Sequence, residues 1–416
     1  MFVLKASTAV IGVVSNIVFA RMLSLEEYGV FAQVLAGVAI AATLVTCGTP
    51  SLLTRDVAAY HAHESWGYLK GLLEWATGRV LFVSAVLAAA ALFWLATYAP
   101  HHWQLTGVLG LAVVLLGAIN QVRAAILRGL NHVAAADFPD LVVQPLVALS
   151  SVATAYALSI SQTVDSCLLA MLGGSVVSLI LGIALLQKAW PSPAKSTKSE
   201  KDRVLWRASA SIFFVITALT IVDSQIVILL VGYMLGDTEA GIFQACVRLA
   251  MLVAFGLIVG NATVLPKIAV AWSKKDLTKM QFLVTYAARN GAIFAFLTSI
   301  PLLLFPESFL GLFGPGYKSG EFALRILVLG QFVNAMSGPC GVILVMSGNQ
   351  SYALRALVIS VLVSVTLNFL LTPDLGLPGA AISVTTAMLI WNLLMVYWAK
   401  KCTGILSFAF RKLKAC

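Results

Sequence analysis

The sequence predicts an all-α polytopic membrane protein with twelve transmembrane helices, arranged as two parallel six-helix bundles around a central cavity. Three observations predict this fold class: an apolar composition, a series of long apolar segments, and an internal repeat. The chain is 60% hydrophobic and 11% charged, whereas soluble domains are about 45–50% apolar and about 25% charged. The composition therefore favours a protein embedded in a lipid bilayer.

Twelve apolar segments are long enough to cross a hydrocarbon core of roughly 30 Å, which takes about 20 helical residues. Helices are expected because lipid offers the backbone no hydrogen-bond partners. The predicted spans are 6–23, 28–53, 76–98, 105–127, 139–158, 166–187, 208–232, 240–264, 284–305, 322–346, 352–372 and 378–399. They predict an N-terminal bundle (1–187), a cytoplasmic linker (188–207), a C-terminal bundle (208–399) and a basic cytoplasmic tail (400–416).

The distribution of the basic residues predicts the orientation of these spans. If the N-terminus is cytoplasmic, all but four of the 27 Lys and Arg residues fall on the inner side. The four exceptions are Arg21 and Lys318 in outer connections and Arg248 and Arg325 inside predicted helices. This asymmetry follows the positive-inside rule and places both termini in the cytoplasm. The net charge of +10 therefore reports orientation, and no nucleic-acid partner is expected.

One turn occurs twice in the chain. ARMLSLEEYGVF at residues 20–31 and GYMLGDTEAGIF at residues 232–243 share Met-Leu, Glu, Gly and Phe at an offset of 212. The register continues, because Arg55 matches Lys267 and Tyr60 matches Trp272. With six spans in each copy, both halves enter the membrane in the same direction, as a parallel repeat. The Glu is expected to cap the second helix of each half, and the Gly to permit close packing.

Several segments suggest departures from straight spans. Around residues 60–73 and 272–283, aromatic and aliphatic residues alternate with charged ones, which predicts an interfacial surface helix in each half or else a solvated loop. Prolines at positions 50, 145, 266 and 339 indicate bent helices. The six cysteines form no CxxC pair, so they are interpreted as small packing residues. The five histidines show no third ligand nearby, so neither a metal nor another cofactor is expected.

Polar residues within the spans are the candidate functional residues, because charge at membrane depth is costly and normally faces a cavity or a partner. Asp223 in the seventh span and Arg248 in the eighth lie roughly 13–17 Å below the outer ends of their helices at about 1.5 Å per residue. They can therefore form an ion pair. One interpretation is a purely structural pair; the other makes Arg248 a cavity residue for an anionic substrate and Asp223 a proton or cation site.

Arg123 and Arg128 lie at the inner end of the fourth span, preceded by Asn120. They either extend to the headgroups or meet a phosphate entering from the inner leaflet, since guanidinium pairs with phosphate in a two-bond geometry. Arg325, a few residues into the tenth span, is either an outer anchor or a cavity group. The candidate substrate-binding residues are therefore Arg248, Arg325, Arg123, Arg128 and Asn120, with Asp223 as the ion-coupling candidate.

Several strings resemble the Wzx-type polysaccharide flippases of the MOP exporter superfamily. They are Arg21–Phe31, Ala125–Asn131, Gly232–Phe243, Leu312–Tyr317, Leu324–Leu327, Ser347–Asn349 and Gly376–Ala381. The resemblance implies two six-helix bundles of the MATE-like kind around a central cavity, in which cavity arginines receive a diphosphate. Among the candidate residues Arg128 and Arg325 fall inside matched strings, whereas Arg248 does not, so the assignment of Arg248 rests on its depth.

The resemblance implies a transporter, not an enzyme, in the bacterial inner membrane. It would flip undecaprenyl-diphosphate-linked oligosaccharide from the cytoplasmic to the outer leaflet by alternating access, for O-antigen, capsule or exopolysaccharide assembly. Membrane lipid and H+ or Na+ are the other expected partners.

Two rival functions are weighed against this one. A drug/cation antiporter of the same superfamily is disfavoured because spans one to six hold hardly any carboxylate at mid-membrane depth. A membrane-embedded polysaccharide polymerase is disfavoured because the sequence shows no paired carboxylates and no large outer loop: the longest outer connection is about 306–321.

Overall fold

The computed structural model describes residues 2–98, 100–158 and 162–409. Its regular elements are seventeen α-helices, one π-helical turn and one 3-10 turn over those ranges. The all-α, polytopic class is therefore confirmed. Arg411, Lys412, Lys414 and Cys416 of the predicted tail lie outside the described residues, as do the side chains of His101 and His102.

Within the described ranges, ten helices are long and apolar enough to span a membrane. A bent pair, 315–337 and 340–346, makes an eleventh if its parts are counted together, with an angle of 43° between them. The first predicted span corresponds to α1, in which Val10–Met22 is the apolar stretch among the described residues and is shorter than the other spans. The twelfth span therefore remains a prediction, while the multi-pass architecture is clear.

The chain divides into two compact units. Unit 1 comprises residues 3–23 and 34–225. Its helices are α1 (Phe2–Met22), α2 (Leu25–Thr46, from Val34 onward), α3 (Thr49–Ala62), α4 (Trp66–Thr97), α5 (His101–Gly129), α6 (Val133–Phe138), α7 (Gln144–Ala157), α8 (Val164–Ala189), α9 (Ser192–Ser196) and the first part of α10 (Arg203–Leu235). A π-helical turn, Pro139–Val143, joins α6 to α7.

The core of unit 1 is made mainly by α3, α4, α5 and the start of α10. Leu52, Leu53, Leu69, Leu72 and Trp206 are fully buried there. Most side chains along the rest of α4 are exposed, including Phe82 and Phe93. Because α4 is one of the apolar spans, its exposed face is suited to contact with lipid.

The second predicted span, 28–53, is broken in the structure. α2 ends at Thr46, and α3 begins at Thr49 after Cys47 and Gly48, both of which have positive φ. A side chain on Gly48 would overlap the backbone of Ala210 and Phe214 in α10. The break therefore lets α10 approach closely, and Pro50 starts the new helix, where its missing N–H costs nothing.

The interfacial helices predicted at 60–73 and 272–283 are wrong as separate elements. Residues 60–62 complete α3 and α4 begins at Trp66, after a turn in which Glu64 has a positive φ of 55°. Likewise α11 ends at Ser273 and α12 begins at Leu277, with Lys275 at φ 55° and Asp276 capping α12. A left-handed residue followed by a new N-terminus closes a tight helical hairpin, which leaves no room for a surface helix.

The segment before α10 docks on α4. The Glu200 N–H donates to the Gly67 carbonyl at 3.0 Å, and Lys70 Nζ donates to the Thr197 carbonyl at 3.2 Å. A side chain on Gly71 would overlap the Glu200 carbonyl. Glycines on α4 therefore allow the backbone of this segment to pack closely against the helix. α10 starts at Arg203, before the predicted start at 208.

Unit 2 comprises residues 24–33 and 226–409 of the described chain. Its helices are the start of α2, the end of α10, α11 (Asp237–Ser273), α12 (Leu277–Leu304), α13 (Pro306–Leu310), α14 (Glu321–Ser337), α15 (Cys340–Met346), α16 (Gln350–Leu375) and α17 (Leu377–Thr403), with a 3-10 turn at Pro315–Gly320. Its core joins α11, α12, α15 and α17.

The predicted bend at Pro339 is confirmed at the α14–α15 break. Gly338 there has a φ of 66°, and a side chain on it would meet Ala288 and Ser407. Cys246 and Cys340 are buried among apolar side chains of unit 2, and Cys167 is buried in unit 1, as packing residues would be.

The two copies of the repeated turn meet inside unit 2. A side chain on Gly29 would overlap the Asp237 carbonyl, and one on Gly241 would approach the Leu25 carbonyl. Leu25 and Gly29 are 212 residues before Asp237 and Gly241, so equivalent positions exchange equivalent contacts. The predicted packing role of the glycines is therefore confirmed.

The predicted Glu cap is confirmed in the first copy only. Ser24 Oγ accepts from the Glu27 N–H at 3.2 Å, and Glu27 Oε2 accepts from the Ser24 N–H at 3.1 Å. This is a capping box. In the second copy the N-cap is Gly236, which has no side chain to cap α11.

Candidate functional site

A buried polar cluster lies in unit 1, where α5 and α8 meet the π-helical turn. Its central contact is an ion pair between Arg123 Nη2 and Asp140 Oδ1 at 2.6 Å. The Arg123 side chain is 3% exposed and that of Asp140 is 22% exposed. Ser178 Oγ donates to the same carboxylate oxygen at 2.5 Å. Three elements are therefore joined through one charged pair.

Small residues on α8 make room for this pair. Gly174, Ser178 and Gly182 follow one another at intervals of four, which places them on one face of the helix. A side chain on Gly182 would overlap the guanidinium of Arg123, and one on Gly174 would overlap the Gln144 carbonyl. This stripe lets the arginine lie flat on α8 and brings the π-helical turn close.

Neutral groups extend the cluster. Asn120 Nδ2 donates to the Ser175 carbonyl at 3.1 Å, and Gln144 Nε2 donates to Ser175 Oγ at 2.9 Å. Within the described part of the chain, Arg123 Nε, Arg123 Nη1 and Asn120 Oδ1 are buried without a hydrogen-bond partner. Buried polar atoms are normally paired. The cluster therefore retains unused donors and an unused acceptor beside a carboxylate.

Asp140 is the residue that sequence analysis misses. The predicted fifth span starts at 139, which leaves Asp140 at its edge, but the structure begins this span at Val133. Asp140 then lies seven residues, or about 10 Å, inside the span. The first six spans therefore hold a carboxylate, Asp140, at a depth that the predicted span boundaries do not indicate. Pro139 is the first residue of the predicted span, yet it lies in a π-helical turn, a feature frequent at functional sites.

A sequence signal for the pair does exist. Arg128 and Arg123 lie four and nine residues before His132, and Asp137 and Asp140 lie five and eight residues after it. In an antiparallel hairpin, residues equally far from the turn are neighbours. Arg128 Nε indeed pairs with Asp137 Oδ1 at 2.9 Å, as Arg123 pairs with Asp140. The Arg128 side chain is 39% exposed. Arg128–Asp137 is therefore the outer of the two ion pairs.

Arg248 lies in unit 2, eleven residues along α11. The amide oxygen of Gln244 accepts from Arg248 Nη2 at 2.9 Å and from Nε at 3.0 Å, in the amide orientation that satisfies both groups. The fully buried Tyr28 is within electrostatic range of the guanidinium. The Arg248 side chain is half-buried. Because Gln244, one helical turn away, accepts from two of its nitrogens, the guanidinium is held in one orientation.

Arg325 lies near the start of α14. Arg325 Nη2 is 3.6 Å from Glu321 Oε2 on the same helix, and its guanidinium lies 5.7 Å from the Phe322 ring centroid. The side chain is 40% exposed. These contacts are those of a residue held at a helix end, which fits the anchor interpretation.

Asp223 belongs to unit 1 and is half-buried in α10, while Arg248 belongs to unit 2. Their ion pair remains a prediction. Of the six sequence candidates, the structure brings Asn120 and Arg123 into one cluster and puts Arg128 at its outer edge.

Comparisons with known proteins agree on the fold. The family model described as polysaccharide biosynthesis protein matches residues 1–272, and the MatE model matches residues 213–370. No curated protein sequence matches the chain.

Solved structures with this fold include transporters and a flippase. An inward-facing multidrug resistance MATE family transporter of the MOP superfamily has a TM-score of 0.77 at 14% identity, over 97% of this chain and 98% of that one. The lipid II flippase MurJ, in an inward closed conformation, has a TM-score of 0.73 at 13% identity, over 96% and 87%. A MOP superfamily transporter from Pyrococcus furiosus, described as having a binding pocket of reversed polarity, has a TM-score of 0.67 at 15% identity, over 97% and 94%.

Proposed function

Because the chain belongs to the polysaccharide biosynthesis protein family, we propose that it flips a lipid-linked oligosaccharide from the cytoplasmic to the outer leaflet. Undecaprenyl diphosphate is the proposed carrier of the oligosaccharide. The proposed mechanism is alternating access between the two bundles. The proposed location is a bacterial inner membrane, with both termini in the cytoplasm. The family match across residues 1–272 is the observation that carries this proposal. The lipid II flippase among the proteins of the same fold supports it.

The physical problem for such a protein is to carry a sugar and a diphosphate through hydrocarbon. A half-buried guanidinium removes part of that barrier, because charge-assisted hydrogen bonds to phosphate replace those lost from water. Arg248 is the proposed contact, since Gln244 holds its fork rigid and leaves guanidinium donors for a ligand. The oligosaccharide and diphosphate would then pass through a central cavity while the prenyl tail stays in lipid.

The test replaces Arg248 with Ala in a strain that depends on this protein for surface polysaccharide. We expect translocation to fall at least tenfold with normal membrane levels of the protein, and Arg248→Lys to recover part of it, because a point charge replaces a two-bond fork. Arg355→Ala is the matched control, an exposed arginine of the same unit that lies 5.3 Å from the Tyr352 ring. Full activity of Arg248→Ala removes Arg248 from the substrate site.

A second candidate function is a drug or cation antiporter. It is favoured by the MatE match over residues 213–370 and by Asp140, a carboxylate at depth in unit 1. The two functions separate in one comparison: deletion of the gene either lowers surface polysaccharide or raises sensitivity to cationic compounds. Loss of drug resistance with intact polysaccharide would select the antiporter.

Ion coupling is proposed for either function, with Asp223 and Asp140 as the candidate carboxylates. In proteoliposomes, Asp223→Asn is expected to abolish the dependence of transport on an H+ or Na+ gradient. Unchanged gradient dependence would eliminate Asp223 and leave Asp140 for the same test.

A further inference from the structure

A basic pocket of about 650 Å³ lies in unit 1, between α4 and the start of α10. Glu74, Trp75, Arg79 and Phe82 line it from α4, and Lys201, Arg203, Arg207 and Ser211 line it from the other side. Four cations thus face one carboxylate. None of these residues belongs to the polar cluster or to the candidate residues of the proposed function.

The pocket is preformed by aromatic packing. Trp206 is fully buried between the basic residues, and its Nε1–H donates to the Tyr60 hydroxyl at 3.0 Å. The Tyr60 hydroxyl is a neutral acceptor at physiological pH, and burial raises its pKa further. The Trp206 ring packs on Trp75 with centroids 5.8 Å apart. Arg203 and Arg207 are therefore held at the rim by a rigid anchor and not by a flexible loop.

The pocket has positive charge that the protein does not neutralise. Lys201 Nζ lies 3.3 Å from Glu74 Oε2, which uses the carboxylate of the lining. The Arg79 guanidinium lies 5.3 Å from the Trp75 ring centroid, and its Nη1 is buried with no hydrogen-bond partner among the described residues. Asp202, next to the pocket, is engaged in capping α10 through the Leu205 N–H. A bound anion would supply the missing acceptors.

The position of the pocket along its helices corresponds to the headgroup layer. α4 has 32 residues and α10 has 33, or about 48–50 Å each at 1.5 Å per residue, against roughly 30 Å of hydrocarbon. About 20 residues counted back from Thr97 end near Arg79, and about 20 counted back from Leu235 end near residue 216, five residues before Ser211 is reached. The basic groups therefore fall where apolar spans pass into the interface, on the predicted cytoplasmic side.

The surroundings of the pocket are apolar. Phe82 is 70% exposed, Val204 83% and Ile212 59%. A soluble anion gains nothing from such a surface, whereas acyl chains cover it. Basic pockets between transmembrane helices on the cytoplasmic side bind anionic headgroups. We propose that the pocket between α4 and α10 is a binding site for the headgroup phosphate of an anionic phospholipid of the inner leaflet.

This site does not depend on which substrate the protein transports. Its phosphate would accept from Arg79, Arg203 and Arg207, while its acyl chains would lie along Phe82 and Val204. Occupancy would fasten the start of α10 to α4 in unit 1.

The experiment measures lipid retention by native mass spectrometry of the full-length protein in a neutral detergent. Dioleoyl phosphatidylglycerol and dioleoyl phosphatidylcholine are titrated separately. We expect one phosphatidylglycerol to bind with at least tenfold lower Kd than phosphatidylcholine. Arg203→Gln/Arg207→Gln should remove this preference, and because both side chains are exposed the fold should be unaffected. Arg79→Gln should remove it too, with helicity checked by circular dichroism.

Arg289→Gln is the matched control, an exposed arginine near the same predicted face in α12 of unit 2. An unchanged preference in the pocket variants, or an equal loss in Arg289→Gln, would overturn the proposal. Two further arms identify the source of the phosphate. Displacement of phosphatidylglycerol by inorganic pyrophosphate would make this a soluble-anion site, and displacement by an equimolar prenyl diphosphate would make it a carrier-lipid site; either result overturns the phospholipid assignment.

Discussion

The Arg123–Asp140 pair makes an asymmetric prediction about stability. Asp140→Asn leaves a guanidinium that is 3% exposed and already has two unpartnered donor positions, Nε and Nη1. Breaking a buried pair in this way costs about 3–5 kcal/mol, because an uncompensated charge stays buried. Arg123→Met keeps the approximate length of the side chain and leaves Asp140 with 22% exposure and its bond from Ser178. We expect that variant to cost only about 1–3 kcal/mol.

The assay is reversible unfolding of the purified protein in mixed micelles, followed by circular dichroism. The double variant Arg123→Met/Asp140→Asn should be more stable than Asp140→Asn alone, since no charge is then left unpaired. Arg128→Ala is the control, because its pair with Asp137 is 39% exposed on the arginine side and such pairs contribute about 0.2–1 kcal/mol. If Asp140→Asn costs no more than Arg128→Ala, or less than Arg123→Met, the burial of the guanidinium does not determine the energetics.

Two other predictions concern the glycine stripe and the helix cap. Gly182→Ala should displace the Arg123 guanidinium from α8 and lower the free energy of unfolding by about 1–3 kcal/mol. Gly173→Ala, where a side chain would meet nothing within 4 Å, should be neutral or slightly stabilising. Equal effects of the two substitutions in the unfolding assay would contradict the packing argument. Glu27→Ala should destabilise the protein by about 1 kcal/mol through loss of the capping box at Ser24, while Glu239→Ala, at the equivalent position beside Gly236, should cost clearly less; a larger loss from Glu239→Ala would show that the cap is not what matters at these turns.

Hydropathy and repeats predict the parts of this fold that depend on single segments. The spans are found because each must satisfy its own backbone and bury about 20 apolar residues. The repeated turn is found because equivalent helices need the same close approach, seen at Gly29 and Gly241. The cap fails in the second copy because Gly236 replaces Ser24, a difference that the matched Glu residues conceal.

Features that depend on two segments are the ones that hydropathy alone misses. The break at Gly48 exists because α10, some 160 residues later, packs against it. The basic pocket exists because residues 197–203 dock on the glycines of α4. Sequence analysis predicts only that residues 197–203 belong to a linker. Asp140 escapes notice because its partner Arg123 lies across a turn. In each case the local pattern is correct and the missing information is which distant surface it meets.

Corresponding helices in the two units are held together by different polar groups. In unit 2 the corresponding pair of helices, α14 and α17, is joined by neutral amides: Asn392 Nδ2 donates to Asn334 Oδ1 at 3.1 Å, and Asn334 Nδ2 donates to Gln331 Oε1 at 3.2 Å. A neutral network therefore suffices to hold these helices, and it carries no cost for burying charge. Since unit 1 nevertheless places Arg123 and Asp140 at this position, stability alone does not account for the charged pair. A group whose charge can change, held next to unused hydrogen-bond positions, is what ion coupling requires, so Asp140→Asn should be examined for its gradient dependence as well as its stability.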